Sequence, residues 1–382
     1  MTHHVPPVDR GPVLLVGAGH AHLHLIQRRR HLPATEIMLV DPGGFWYSGM
    51  ACGVLGGQYS PGEDRLDPAR LARRHGVRSL RGRLSGLDAR RREALLADGR
   101  RLPFSVLSLN LGSRTPCPAP HPHGPGVWAV KPIPCLVALR RRLVGEFAAG
   151  RRPRIVVVGG GASGVEVACN LWSLARQQRG RLDIQLVTRG RRLLEGAPGR
   201  AVAWLGRLLK HRGIRVSTGL EVRGHAAGGL MVASFDQPWG EDSFRHLEAD
   251  HVVHAAGLAA PEVIDELGLP TVAGRGLAIA DTLQSPQAPW AFAAGDCAAM
   301  LQHRLPRLGV YGVRQAPVLL ANIAAQLTGG SLRSYRPQPH ALAILNLGQG
   351  QALAIRGRRW WGGRLAMVWK QWLDARFLAG YR

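Results

Sequence analysis

The chain has 382 residues, 46% of them hydrophobic, which suits two or three globular domains with full cores. No apolar run reaches the ~18 residues of a spanning helix, and MTHHVPPVDRG lacks an apolar leader core, so a cytoplasmic protein is expected. The formal charge of +25 comes from 50 Lys and Arg, of which only Lys131, Lys210 and Lys370 are lysine; the arginines are spread along the chain, which argues against a nucleic-acid partner while still drawing the protein to anionic partners such as acidic lipid.

The first predicted unit opens the chain. VLLV, 13–16, reads as a strand, GAGHAH, 17–22, as a Gly-rich turn into a helix, and IMLV, 37–40, as a second strand ending at Asp41. Strands this continuously apolar belong in a parallel sheet covered on both faces. Gly17 permits the tight turn, and Gly19 lets the backbone approach a pyrophosphate. The helix start at His20 offers amides and a positive dipole end. Asp41 stands where a carboxylate accepts the ribose hydroxyls of an adenosine. His22 replaces the third glycine of the fingerprint, so close packing of helix on strand is in question. His20, His22 and His24 do not share a helical face, and no metal site is expected.

VLSLNLGSRTP, 106–116, reads as a strand closing at Gly112 and a Pro-containing linker. The strand IVVV, 155–158, then leads into GGGASG, 159–164, with Gly159, Gly161 and Gly164 at full fingerprint spacing, and IQLV, 184–187, follows. No acid ends that strand. Thr188 and Arg189 stand there, with Arg191 and Arg192 behind, and an arginine at this place pairs a 2′-phosphate, favouring NADPH over NADH. HVVHAAGLAAP, 251–260, reads as a strand ending near Gly257 and a second linker. The two linkers bracket the second unit. The expected fold is therefore α/β with two Rossmann-like dinucleotide-binding domains, the second inserted in the first. The boundaries are 1–118 with 258–334 for the first domain, 119–257 for the second, and 335–382 for a small C-terminal α+β piece.

In WAFAAGDCA, 290–298, a strand runs into Gly295 and Asp296 at an expected helix start, where the carboxylate could hold a ribityl chain. Pro317 reads as the first turn of an apolar helix, with Gln315 just ahead of it. Leu365, Trp369, Leu373, Phe377 and Tyr381 form an i, i+4 row joined by Trp372, with Arg364, Lys370 and Arg376 nearby. The row suits either peripheral attachment to an anionic membrane or packing on the protein itself or a second subunit, and both stay open. The five cysteines, Cys52, Cys117, Cys135, Cys169 and Cys297, include no CxxC, so neither a disulfide framework nor a zinc site is indicated.

The order GxGxx, LGS-x-P, GxGxxG, AAG and AFAAGD resembles the two-dinucleotide-binding-domain flavoproteins, the pyridine nucleotide–disulfide oxidoreductase superfamily, over nearly the whole chain. Within it the chain is similar to the type II NADH dehydrogenase-like branch. GAGHAHLHLI and FWYSGMACGVLGGQYS resemble the flavoprotein module associated with selenide, water dikinase. The resemblance implies FAD held by Gly17, Gly19, His20, Asp41, Gly112, Gly295, Asp296 and Gln315. It implies NAD(P)H at Gly159, Gly161, Gly164, Thr188, Arg189 and Gly257, with electrons passed to a quinone or another small acceptor. Location on the inner face of the plasma membrane and a homodimer are compatible with it. Cys52 and Gln315 are the catalytic candidates. The closely spaced dithiol of the disulfide reductases is missing, since only Cys52 lies in that neighbourhood. A non-catalytic FAD-binding sensor or scaffold linked to selenium metabolism is the rival reading. A sulfide:quinone-type reductase would need Cys135 or Cys297 to approach Cys52.

Overall fold

The computed structural model describes residues 11–235 and 244–382. The segment MTHHVPPVDR, on which the leader reading rests, lies outside them. Two sheets organise the chain. The first has six strands in the order Gln284–Ser285, Ala288–Ala293, Val106–Leu109, Val13–Val16, Ile37–Asp41 and Arg78–Arg81. Val13–Val16 is its hub, with Val13 opposite Ile37 on one side and Val106 on the other, both pairings parallel. All four hub residues are buried, because helices or loops cover both faces. Each such Val or Leu contributes about 1.5–3 kcal/mol.

The second sheet is parallel throughout, in the order Gly126–Ala129, His251–His254, Arg154–Val158, Asp183–Thr188 and Arg215–Thr218. The chain thus leaves the first sheet after Val106–Leu109, builds the second, and returns at Ala288–Ala293. An antiparallel sheet of Leu220–Ala226, Gly229–Ser234 and Phe244–Glu248 lies on the second sheet and shares a small core of Val156, Val187, Leu230, Val232 and Val252. At the C-terminus the strands Ala343–Asn346, Ala352–Arg356 and Arg359–Gly363 lead into the helix Arg364–Ala379.

Three local expectations need correction. The apolar helix spans Gly309–Thr328, so Pro317 lies inside it and not in its first turn. Proline cannot donate to the carbonyl of Val313. Val313 and Arg314 sit on the exposed side of the helix, where water can satisfy that carbonyl. Asp296 does not start a long helix either. It sits in the 3-10 turn Gly295–Cys297, which passes into the strand Ala298–Met300 because that segment pairs with Gly276–Ile279. Finally, Trp369, Leu373, Phe377 and Tyr381 are half-buried, and the exposed apolar face of the last helix is Leu365, Val368 and Trp372. The helix is rotated because its inner face carries Ala366, Met367, Lys370, Asp374 and Leu378, and Lys370 and Asp374 pair there at 2.9 Å. Among the described residues no helix is long and apolar enough to cross a membrane.

Candidate functional site

The first Gly-rich loop is fastened by a residue that the sequence patterns do not single out. Asn110 ends the strand Val106–Leu109. Its Oδ1 accepts from the Ala21 amide at 3.0 Å and, more weakly, the His22 amide at 3.4 Å, while its Nδ2 donates to Ala294 O at 2.6 Å. Three motifs distant in sequence therefore meet on one side chain. Gly17 has φ +86°, open to glycine alone at low cost. A Cβ on Gly19 would come within 2.3 Å of Asn110 Oδ1. His22 replaces the third glycine without loosening the turn: its Nδ1 bonds Gly17 O at 2.6 Å and its Nε2 bonds Ser108 Oγ at 2.8 Å. Burial lowers both His20 and His22 to about 4, so both are neutral at physiological pH. Asp41 accepts from the Ala18 and Gly43 amides at 2.9 and 2.8 Å, which places its carboxylate at the lip of the loop. Gly112 has φ +74°, and an added Cβ there would meet nothing within 4 Å.

Asp296 lies at the same carboxyl end of the sheet, beyond the strand Ala288–Ala293, which runs parallel to Val106–Leu109. Its Oδ2 accepts from Ser113 Oγ at 2.7 Å and from Lys131 Nζ at 2.8 Å. Burial alone would raise its pKa, but the Lys131 ammonium, the hydrogen bonds from Lys131 and Ser113, and Arg307 outweigh it and hold the carboxyl below its ordinary value. Asp296 is thus an ionised carboxylate. Gln315 is buried in the helix Gly309–Thr328, and its Oε1 accepts from the Gly295 amide at 2.7 Å. It fixes the turn that carries Asp296.

In the second loop Gly164 shows why the fingerprint demands glycine: a Cβ would come within 1.8 Å of Gly159 O. Gly159 has φ +129°, and a Cβ on Gly161 would meet nothing within 4 Å. The loop lines a cavity of about 1840 Å³ together with Thr188, Arg189, Gly257, Arg304 and Tyr311. That exceeds the roughly 300–1,000 Å³ of a drug-sized pocket and suits a dinucleotide. Arg189 lies 3.9 Å from Glu221. Arg192 donates to Ala197 O, which commits it to holding its own loop.

Between the two loops lies a second buried cluster that the sequence patterns also miss. Glu166 Oε1 accepts from the Asn346 amide at 2.6 Å. Burial raises its carboxyl to about 7, against the pull of Lys370 and that amide. Lys370 Nζ donates to Gly49 O at 2.7 Å and to Asp374 Oδ2 at 2.9 Å. Tyr47 donates to Asp374 Oδ1 at 3.0 Å and stacks on Phe377 with ring centroids 4.4 Å apart. A cue was present: two of only three lysines form the ion pairs of these sites, Lys131 a part-buried one with Asp296 and Lys370 a buried one with Asp374.

All five cysteines are free. Cys297 packs against Leu109 O and Ala294 O, and Cys135 neighbours Cys117. Cys52 lies near Glu166 and Cys169, and burial pushes its thiol well above 9.0. It is a protonated, weak nucleophile at neutral pH. His121 and His123 are exposed, and no group of three metal-ligating side chains occurs among the described residues.

Comparison with known proteins agrees with this geometry. The chain is 29% identical over 210 residues to a type II NADH:quinone oxidoreductase of Haemophilus influenzae, a match spanning 52% of this chain and 44% of that protein. It is 26% identical over 335 residues, 85% of this chain and 81% of the relative, to a nitric oxide reductase FlRd-NAD(+) reductase of Vibrio vulnificus. In fold it matches the sulfide:quinone oxidoreductase of Aquifex aeolicus with a TM-score of 0.83 at 16% identity, covering 97% of this chain and 91% of that one. The model of the pyridine nucleotide-disulphide oxidoreductases matches residues 11–316, and the chain belongs to that family.

Proposed function

We propose that this protein is an FAD-dependent oxidoreductase that takes hydride from NAD(P)H, with NADPH favoured, and passes electrons to a quinone or another small acceptor. The observation that carries this reading is the arrangement of two glycine loops at the ends of parallel strands in two sheets, one beside the ionised Asp296 and the other on a cavity of about 1840 Å³. FAD bound at the first loop would supply the two-electron acceptance and delivery. The open face of Gly112 and the carboxylates of Asp41 and Asp296 fit its phosphate and hydroxyl groups.

The chain's own residues prepare the site. Asp296 has Oδ1 outside its bonds to Lys131 and Ser113 and can accept from ligand hydroxyls. The N-terminus of Gly309–Thr328 brings a positive dipole end to the neighbourhood of Gly295. Glu166, near half-protonated at neutral pH, holds a proton on Oε2 that it can deliver to an acceptor, and Lys370 steadies the resulting carboxylate. Tyr47, stacked on Phe377, holds Asp374 beside Lys370. Cys52, with its thiol raised by burial, is given no role in this reading. The NADPH preference rests on the missing acid at Thr188 and on Arg189.

Peripheral attachment to anionic membrane is part of the same proposal. Leu365 (83% exposed), Val368 and Trp372 present an apolar face beside Arg364 and Arg376. Anaerobic reduction of the purified protein by NADPH followed by a screen of acceptors tests the reading. A quinone that reoxidises the flavin rapidly supports it. Reoxidation at the buffer rate by every acceptor tried would leave no oxidoreductase function to propose.

A further inference from the structure

The cavity of the GGGASG loop holds a carboxylate that the strand pattern could not reveal. The Gly219 amide donates to Gly190 O at 3.1 Å, and the Phe235 amide donates to Gly219 O at 2.8 Å. These bonds tie the turn after Asp183–Thr188 to the sheet that begins at Leu220. They bring Glu221 beside the strand end where Thr188 stands in place of an acid. Glu221 Oε2 lies 2.8 Å from Arg223, and its Oε1 lies 3.9 Å from Arg189. The Arg189 guanidinium sits 5.1 Å from the Phe235 ring centroid. Thr188, Arg189, Glu221 and Phe235 all line the cavity of the GGGASG loop.

We propose that Glu221 reads the 2′ position of the nucleotide ribose, taking the part of the acid absent at Thr188 and restraining the preference for NADPH. This rests on the reading that the second loop binds NAD(P)H. A 2′-phosphate drawn to Arg189 comes within reach of the Glu221 carboxylate, and the two like charges repel. A ribose with a free 2′-hydroxyl can instead donate to that carboxylate. Glu221 also competes with the phosphate for Arg189. The pairing at 3.9 Å is loose, so the guanidinium can turn to either anion. Arg189 stacked on Phe235 offers a flat cationic surface to an adenine. The discrimination is thus a contest between Arg189 and Glu221, set by a residue from outside the βαβ unit.

The test is calorimetric titration of the oxidised, FAD-loaded protein with NADP+ and with NAD+ at fixed salt. Glu221→Gln keeps the size and removes the charge. It should raise the ratio of Kd(NAD+) to Kd(NADP+) roughly tenfold. Glu221→Ser should shift the ratio the same way, and either variant suffices if the other fails to load flavin. Glu221→Asp should stay near the wild-type ratio, and Arg189→Ala should move it in the opposite direction. A ratio within twofold of wild type in both neutral variants, with both nucleotides still bound, would overturn the assignment of Glu221 alone. Failure of both nucleotides to bind the wild-type protein would overturn it together with the reading of the second loop.

Discussion

Asn110→Ala removes the side chain on which the GAG loop, the strand Val106–Leu109 and the Gly295 turn converge. The residue is 4% exposed. Truncation leaves Ala294 O without its 2.6 Å donor and the Ala21 and His22 amides without their acceptor. A buried polar group left unpaired costs about 1–3 kcal/mol. The His22 contact at 3.4 Å is weak, so two strong bonds carry the estimate, and a loss of about 2–6 kcal/mol is expected. Asn110→Asp separates the two halves of the effect. It keeps an oxygen for the Ala21 amide but sets a carboxyl oxygen against Ala294 O. It should therefore be less destabilising than alanine only at acid pH, where the protonated carboxyl can donate. The assay is urea unfolding of the apoprotein, read as the shift of the midpoint at constant slope. A midpoint for Asn110→Ala within about 0.5 kcal/mol of wild type would refute the idea that this residue joins the three motifs.

Asp296→Ala should lower the fraction of purified protein carrying flavin, read from the ratio of visible to ultraviolet absorbance, because ligand hydroxyls lose a charged acceptor worth about 1.5–3 kcal/mol; full occupancy would remove its role. Glu166→Gln keeps the acceptor for the Asn346 amide and abolishes titration. The folded-state carboxyl is raised from 4.5 to about 7, so wild-type stability should fall as pH rises through that window relative to the glutamine variant, by at most about 3 kcal/mol at 1.36 kcal/mol per unit. Parallel stability curves for the two proteins between pH 4 and pH 8 would contradict this. In turnover, the proton-dependent step of the wild-type protein should slow above neutral pH, and the variant should lack that inflection. Leu365→Ser with Trp372→Ser should abolish sedimentation with anionic vesicles while flavin stays bound. Wild-type attachment should weaken with salt, and a wild-type protein that shows no vesicle binding at low salt would place that apolar face in a protein contact instead.

Much of the architecture was legible because parallel strands buried on both faces are continuously apolar. VLLV, IMLV, IVVV and IQLV each stand where the structure has a strand, and the glycines mark the turns between strand and helix. The long helix was misplaced because Pro317 reads as a start, whereas tertiary contacts of Gly309–Thr328 carry the helix through it. The C-terminal row was read by spacing alone: Phe377 and Tyr381 pack against the core of the first sheet, Leu365 and Trp372 stay exposed, and the buried pairing of Lys370 with Asp374 sets that rotation. Asn110, Lys131, Glu166 and Glu221 escaped because none is marked by local pattern: each works through a partner far away in sequence. His22 illustrates the same limit in reverse. Its departure from glycine put the close packing of helix on strand in question, but Gly17 O and Ser108 Oγ were available to receive the ring.

The most direct test of the central claim is rapid mixing of the purified, oxidised protein with NADPH and with NADH without oxygen, following the flavin absorbance. The account predicts a yellow protein with one FAD per chain whose colour bleaches with either donor, faster with NADPH at matched low concentration. A protein that carries FAD yet keeps its absorbance unchanged with both donors would contradict it.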